Sequence, residues 1–196
     1  MKFSDYLNEN TKKLKPTDYY ELIEIVKETI SKEGNSCNLN FIDTSEITRM
    51  PQLFSVERTK NFNGDISEWD VSNVYDMNDM FKDSKFNGDI SKWDVSEVCF
   101  MRQMFRESFF NGDISKWNVS NVKDMNFMFT RSKFNQDISN WDVSNVENMA
   151  WMFRDSPFNQ DISKWDVSSV EPIYHTFMFK DCPLENKPEY QPKFKR

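Results

Sequence analysis

Histidine is nearly absent: His175 is the only one in 196 residues. A lone histidine builds no Ser-His-Asp or Cys-His set and no zinc cluster, so it reads as structural. Glycine is scarce too, at four residues, which leaves no phosphate-cradling loop. The three cysteines, Cys37, Cys99 and Cys182, are far apart and odd in number, as expected of reduced thiols rather than a disulfide framework. No apolar run is long enough to span a bilayer. The opening Met1-Lys2-Phe3-Ser4-Asp5-Tyr6 has no apolar segment behind its charge, so no secretory signal is expected, nor a lipid-bearing cysteine. Basic charge is outweighed as well: the net charge of -7 disfavours general phosphate-backbone binding and permits a basic partner.

Aromatic residues, by contrast, are abundant at 15%, with 18 Phe and 6 Trp, which argues against disorder. They recur. Phe62-Asn63-Gly64-Asp65-Ile66-Ser67-Glu68-Trp69-Asp70-Val71-Ser72-Asn73-Val74, followed by Met77, Met80 and Phe81, returns from Phe86, Phe110, Phe134 and Phe158, always after 24 residues. A fixed period in this range means a stacked repeat architecture. Residues 37–54 are a worn copy: Leu39, Ile42, Ile47, Met50 and Phe54 align with Ile66, Trp69, Val74, Met77 and Phe81.

Within a repeat, Trp69 and Val71 are two apart, which predicts a short inward-pointing strand. Val74, Met77, Met80 and Phe81 are spaced by three and four, which predicts a short helix. The expected fold is an α/β repeat solenoid, leucine-rich-repeat-like, with six turns of short parallel strand plus short helix. Ahead of it, Asp18 or Thr17 caps a helix running to about Lys32 and ended by Gly34, with Leu22, Val26 and Ile30 on its apolar stripe. Such a helix suits the cap that a terminal repeat needs. The organisation is therefore 1–34 N-terminal segment and capping helix, with a short helical turn at Phe3, Tyr6 and Leu7; 35–182 solenoid, of which 35–61 is a degenerate first turn; and 183–196 a basic, proline-containing tail with Lys193, Lys195 and Arg196.

FNGDISKWDVSxV followed by MxxMF resembles the BspA-like bacterial surface-protein repeat, known also from mycoplasma lipoproteins and proteins of mobile elements. The resemblance covers residues 62–182 closely and 37–54 loosely. It implies a curved, leucine-rich-repeat-like solenoid used for binding, and surface adhesins are the better-known members.

Polar columns invite chemistry. Asp65, Asp89, Asp113, Asp137 and Asp161 align, as do Asp70, Asp94, Asp142 and Asp166, with Asn118 in the gap. The sharp reading is a calcium ladder. The plainer one is Asx-type loop bonding for the first column and a solvated strand face for the second, offset by Lys92, Lys116 and Lys164. The asparagines at 63, 87, 111, 135 and 159 are expected to bond loop backbone, and the glycines after three of them look permissive, since Gln136 and Gln160 replace them.

Core positions agree between repeats and outward ones do not. Tyr75, Phe100, Phe127 and Trp151 break an otherwise polar surface and are the expected partner-binding residues. A basic column, Lys82, Arg106, Arg154 and Lys180, runs beside them, interleaved with acids as a solvated face would be. The face around Lys92, Asp94, Lys116 and Asp142 is the second candidate. The leading expectation is a non-enzymatic protein-binding module in the cytoplasm, without cofactor or metal. Its partner is a protein with a basic surface, not a membrane, and nucleic acid enters only within a nucleoprotein complex. Its sharpest form is a phage-encoded inhibitor of a host defence complex such as a CRISPR effector. A surface adhesin or structural surface protein is the alternative.

Overall fold

The computed structural model describes residues 13–194; the expected turn at Phe3, Tyr6 and Leu7, and the tail's Lys195 and Arg196, lie outside them. The first element is a helix, α1, Tyr19–Glu33. Asp18 accepts the Glu21 N–H at 2.9 Å, so the capping aspartate is the one expected. The Glu21 carboxylate reaches back further, to the N–H and hydroxyl of Thr17 at 2.7 and 2.8 Å. Gly34 ends the helix at φ 88°, where a side chain would be strained. Leu22, Val26, Thr29 and Ile30 form its buried face, and Tyr19 anchors it by donating to the Pro51 carbonyl at 2.5 Å.

Beyond α1 the chain is a stacked coil of turns, and the α/β solenoid is not what forms. Among the described residues there is no strand, only single parallel bridges such as Arg49–Asp76, Asp76–Phe100, Phe100–Asp124 and Asp124–Asn148. Nor does any repeat contain an α-helix. The expected strand at Trp69–Val71 is a pair of bends instead. Trp69 N–H donates to Ile66 O at 3.2 Å and Val74 N–H to Val71 O at 2.9 Å, so these donors stay within their own turn.

The expected helix fails for a related reason. Met80, Lys82 and Ser84 donate three residues back, to Met77, Asp79 and Phe81. The amides between them leave the turn altogether. Met77, Asp79, Phe81 and Asp83 donate to the carbonyls of Phe100, Arg102, Met104 and Arg106, at 2.8–2.9 Å. Left-handed residues at Asp79 and Asp83, both φ 56°, rotate alternate amides outward. Three-and-four spacing of apolar residues is therefore met by consecutive tight turns, which bury Met77, Met80 and Phe81 as a helix would.

Two rows of phenylalanine fill the interior. Phe54, Phe81, Phe105, Phe129 and Phe153 form one, Phe62, Phe86, Phe110, Phe134 and Phe158 the other, all fully buried. The rows pack ring on ring, with Phe105–Phe110 at 4.3 Å and Phe129–Phe134 at 4.1 Å. Each of the five tryptophans in the repeat column spans two turns. The indole N–H groups of Trp93, Trp117, Trp141 and Trp165 donate to Ile66, Ile90, Ile114 and Ile138 carbonyls at 3.1–3.2 Å. Trp69 does the same to Leu39 in the worn copy, at 2.9 Å. That copy is in the expected register, since Met50 donates to Asp76 and Phe54 to Met80.

Both ends are covered. Leu14 pairs with Ile42 at the first turn, beside α1. At the other end the tail forms two 3-10 helices, Pro183–Asn186 and Pro188–Tyr190. Leu184 is fully buried there, and Ile162 N–H donates to Tyr190 O at 3.0 Å. No helix among the described residues is long and apolar enough to cross a membrane.

The glycine at position 64 is less permissive than its replacements by Gln in later turns suggest. A Cβ there would lie 1.9 Å from the Cys37 carbonyl oxygen, because the worn copy packs closely against it. At Gly112 the nearest atoms are the Phe110 ring edge at 2.9 Å, and the preceding turn's Gly88 oxygen is 3.6 Å away. Gly64→Ala should therefore cost about 1–3 kcal/mol by overpacking, and Gly112→Ala clearly less, as read by urea denaturation of both variants. Equal small losses would mean that residue 64 has the freedom of residue 112.

Candidate interaction surface

Most polar side chains on this surface are already engaged in holding turns. In the first aspartate column, Ser67, Ser91, Ser115, Ser139 and Ser163 N–H groups donate to Asp65, Asp89, Asp113, Asp137 and Asp161 at 2.9–3.0 Å. The second column is not a strand face. It makes the same Asx turns, with Ser72, Ser96 and Ser144 donating to Asp70, Asp94 and Asp142 at 3.0–3.1 Å. Asn118 fills its gap because an amide oxygen accepts from Ser120 just as well, at 3.2 Å. The asparagine ladder is present: Asn87, Asn111, Asn135 and Asn159 N–H groups donate to Asn63, Asn87, Asn111 and Asn135 side chains at 2.7–2.9 Å. It lies on the solvent side rather than in a buried loop, and Lys187 closes it on Asn159 at 2.8 Å.

Calcium has no built cage here. Among the described residues no group of three His, Cys, Asp or Glu side chains could hold a metal. The second candidate face keeps Lys92, Asp94, Lys116 and Asp142 exposed, but Asp94 and Asp142 are committed to their serines, and no strand aligns the four. His175, the lone histidine, stacks on Phe194 at 4.1 Å. All three cysteines are free, and burial pushes the Cys37 thiol up to about 11.

The four aromatic candidates fall on one stretch of the turn without forming a single row. Tyr75 and Phe100 are neighbours: Tyr75 O accepts the Cys99 and Phe100 N–H groups at 2.9 and 3.2 Å, and both rings are exposed, at 43% and 40%. Phe127 and Trp151 stand three places beyond the position of Phe100 in the turn and are half-buried. They stack at 5.6 Å, and Trp151 meets Phe177 at 4.8 Å. Phe177 is the next member of this ladder, shifted in sequence by two extra residues. It escaped the sequence reading, as did exposed Phe109, Ile173 and Tyr174. The signal for Phe177 was there: counted back from Met178-Phe179 rather than forward from Phe158, it takes the same place as Trp151.

The basic column lies against this ladder instead of facing solvent alone. Arg106, Arg154 and Lys180 stand over the rings of Phe127, Trp151 and Phe177 at 5.4, 4.4 and 5.8 Å. Arg131 interrupts the accompanying acidic column and bridges Glu107 and Asp155 at 3.7 and 3.2 Å. It relieves repulsion that stacked carboxylates would otherwise feel.

A family model described as "Mycoplasma protein of unknown function, DUF285" matches residues 24–133 and again residues 107–191. The chain belongs to this family. Its repeat is thus a mycoplasma-type repeat, and a member of DUF285 is a repeat protein whose function its family leaves open. No curated protein and no solved structure matches the chain.

The Asx turns make this DUF285 stack pH-sensitive. Serine N–H and hydroxyl groups hold Asp65, Asp89, Asp113, Asp137 and Asp161 below the usual carboxylate range. At Asp94 and Asp142 the hydroxyl leads. Their depressed values stabilise the fold above the unfolded value of about 3.9, and that contribution is lost as pH falls through the folded values. Asp124 is opposite in sign. Burial raises it, against the pull of the Asn126 N–H and Arg102. Its ionised form therefore costs stability above its folded pKa and nothing below the unfolded one. Asn148, one turn on, makes the same bond to Ala150 as an amide. Asp124→Asn should melt higher than wild type at pH 7 and at the same temperature near pH 3, so the variant loses more on acidification although the weakening Asx turns lower both. A lower melting point at pH 7 would contradict this.

Proposed function

We propose that this chain is a non-enzymatic protein-binding repeat module that acts in the cytoplasm. It meets its partner with the side carrying Tyr75, Phe100, Phe127 and Trp151. The observation that carries this reading is the contrast between spent and unspent side chains. The Asx turns, the asparagine ladder and the indole N–H groups are consumed in stacking, whereas exposed rings on that one side serve no turn. Aromatic side chains at interface centres often cost about 2 kcal/mol or more on truncation. The net charge of -7 favours a partner with a basic surface.

The narrower form is a small phage-encoded inhibitor of a host defence complex such as a CRISPR effector; acidity and the likeness to mobile-element repeats support it. The BspA-like likeness equally supports a surface adhesin. Tagged full-length chain, expressed in its host, separates these readings by fractionation and cross-linking. A cytosolic partner held by wild type and lost from Phe100→Ser with Tyr75→Ser, at unchanged melting temperature, is expected. Protein recovered only at the cell surface favours the adhesin, and a partner kept by the variant overturns the face.

A further inference from the structure

The last repeat departs from its template at a cost that stacking does not explain. Two extra residues enter after Val170, and the 3-10 helix they make room for, Pro172–His175, buries none of its side chains. Ile173 is left 68% exposed, Tyr174 45% and Phe177 51%. Yet the insertion leaves the stack intact, since Met149, Trp151 and Phe153 still donate to Tyr174, Thr176 and Met178 at 2.8–3.1 Å. The extra chain thus throws apolar side chains outward and nothing inward.

A second, independent oddity lies beside it. Phe127, Trp151 and Phe177 have φ of 57°, 64° and 55°. Bulky residues are uncommon in this left-handed region, which Asn and Asp tolerate better. Earlier turns place Gln52, Asp79 and Gln103 at the same point. Three successive turns therefore hold rings where the backbone favours small polar residues, and strain of this kind gathers at functional sites.

We propose that Ile173, Tyr174 and the Phe127–Trp151–Phe177 ladder form the docking surface for a basic protein segment: an apolar or aromatic side chain flanked by arginine or lysine. This rests on the protein-binding reading above and moves its centre to the last turns. Charge selects the occupant. Around the deviant turn Glu171, Asp181 and Glu185 stand against Lys180 and Lys187, with His175 stacked on Phe194, while Arg106 and Arg154 over the ladder are already paired with Glu107 and Asp155 at 3.1 and 3.3 Å. Exposed Glu147, one turn back, adds a carboxylate that Lys123 meets only at 3.8 Å. The chain's own net charge has the same sign, so both near contact and long-range attraction favour cationic residues around the apolar anchor.

The test is selection of a displayed random-peptide library on the full-length protein, with the enriched peptides then titrated against wild type and two variants. Ile173→Ser with Tyr174→Ser removes exposed side chains only, and Phe177→Asn puts a tolerated residue at the left-handed position. Enriched peptides should carry an apolar or aromatic residue between arginines or lysines and weaken with salt. They should lose at least roughly ten-fold in affinity on either variant, while melting temperatures stay level or rise. Peptides flanked by carboxylates, or single-stranded oligonucleotides retained in preference to peptides, would overturn the stated partner chemistry. Peptides that bind both variants as tightly as wild type would overturn the surface. So would a library that enriches nothing, and the module reading would then stand or fall separately on the native partner's response to Phe100→Ser with Tyr75→Ser.

Discussion

Every buried backbone N–H and C=O needs a partner, and among the described residues after α1 this chain meets that demand with neither ladder strands nor α-helices. Its solution is division. Some amides close tight turns three residues back, and those between them reach the next turn. Side chains supply the remainder. Aspartates and one asparagine close the bends at their serines, asparagines link turn to turn at the rim, and indole N–H groups satisfy isoleucine carbonyls inside. Because the donors and acceptors lie in different turns, no single repeat is complete alone. The invariance of Trp, Asp and Asn along the five regular copies follows from this, with Asn118 as the exception that keeps the acceptor.

Much of the stack was legible. Period, register and the worn copy could be counted, and the helix followed from Asp18, Gly34 and the Leu22–Val26–Ile30 stripe. The kind of turn was not. Residues 77, 80 and 81 face inward in a helix and in a run of tight turns alike, so apolar spacing cannot separate them. The expected strand had the same weakness, because Trp69 and Val71 point inward from bends as well as from a strand. Glycine gives no warning either, since the left-handed positions hold Asp79, Asp83, Gln103 and Glu107. Aspartate recurring at 79, 83, 155 and 181, just where a helix interior was expected, was the available hint.

The candidate surface was legible in part for a similar reason. Tyr75, Phe100, Phe127 and Trp151 stood out by comparison with other copies, and that comparison works only where alignment holds. Two inserted residues moved Phe177 out of column and made Ile173 and Tyr174 look like the frayed end of a repeat. The basic column's position over the rings could not be read from sequence, because it depends on how far the turn at Asp79 or Phe127 swings the backbone. A stack saturated by its own hydrogen bonds can tolerate such departures, since the outward side chains of each turn contribute little to its closure.

The central claim is that side-chain donors crossing between turns, above all the indoles, hold the turns in register. Trp117 tests it most directly, in the middle of the stack with its N–H on the buried Ile90 carbonyl at 3.1 Å. Denaturation of Trp117→Phe and Trp117→Ala separates the hydrogen bond from the ring. Removing the ring should cost about 3–5 kcal/mol. Keeping an aromatic ring but losing the donor should still cost about 1–3 kcal/mol, since Ile90 O is left unpaired. A Trp117→Phe protein as stable as wild type would contradict the account and leave apolar packing and the backbone bonds between turns to set the register.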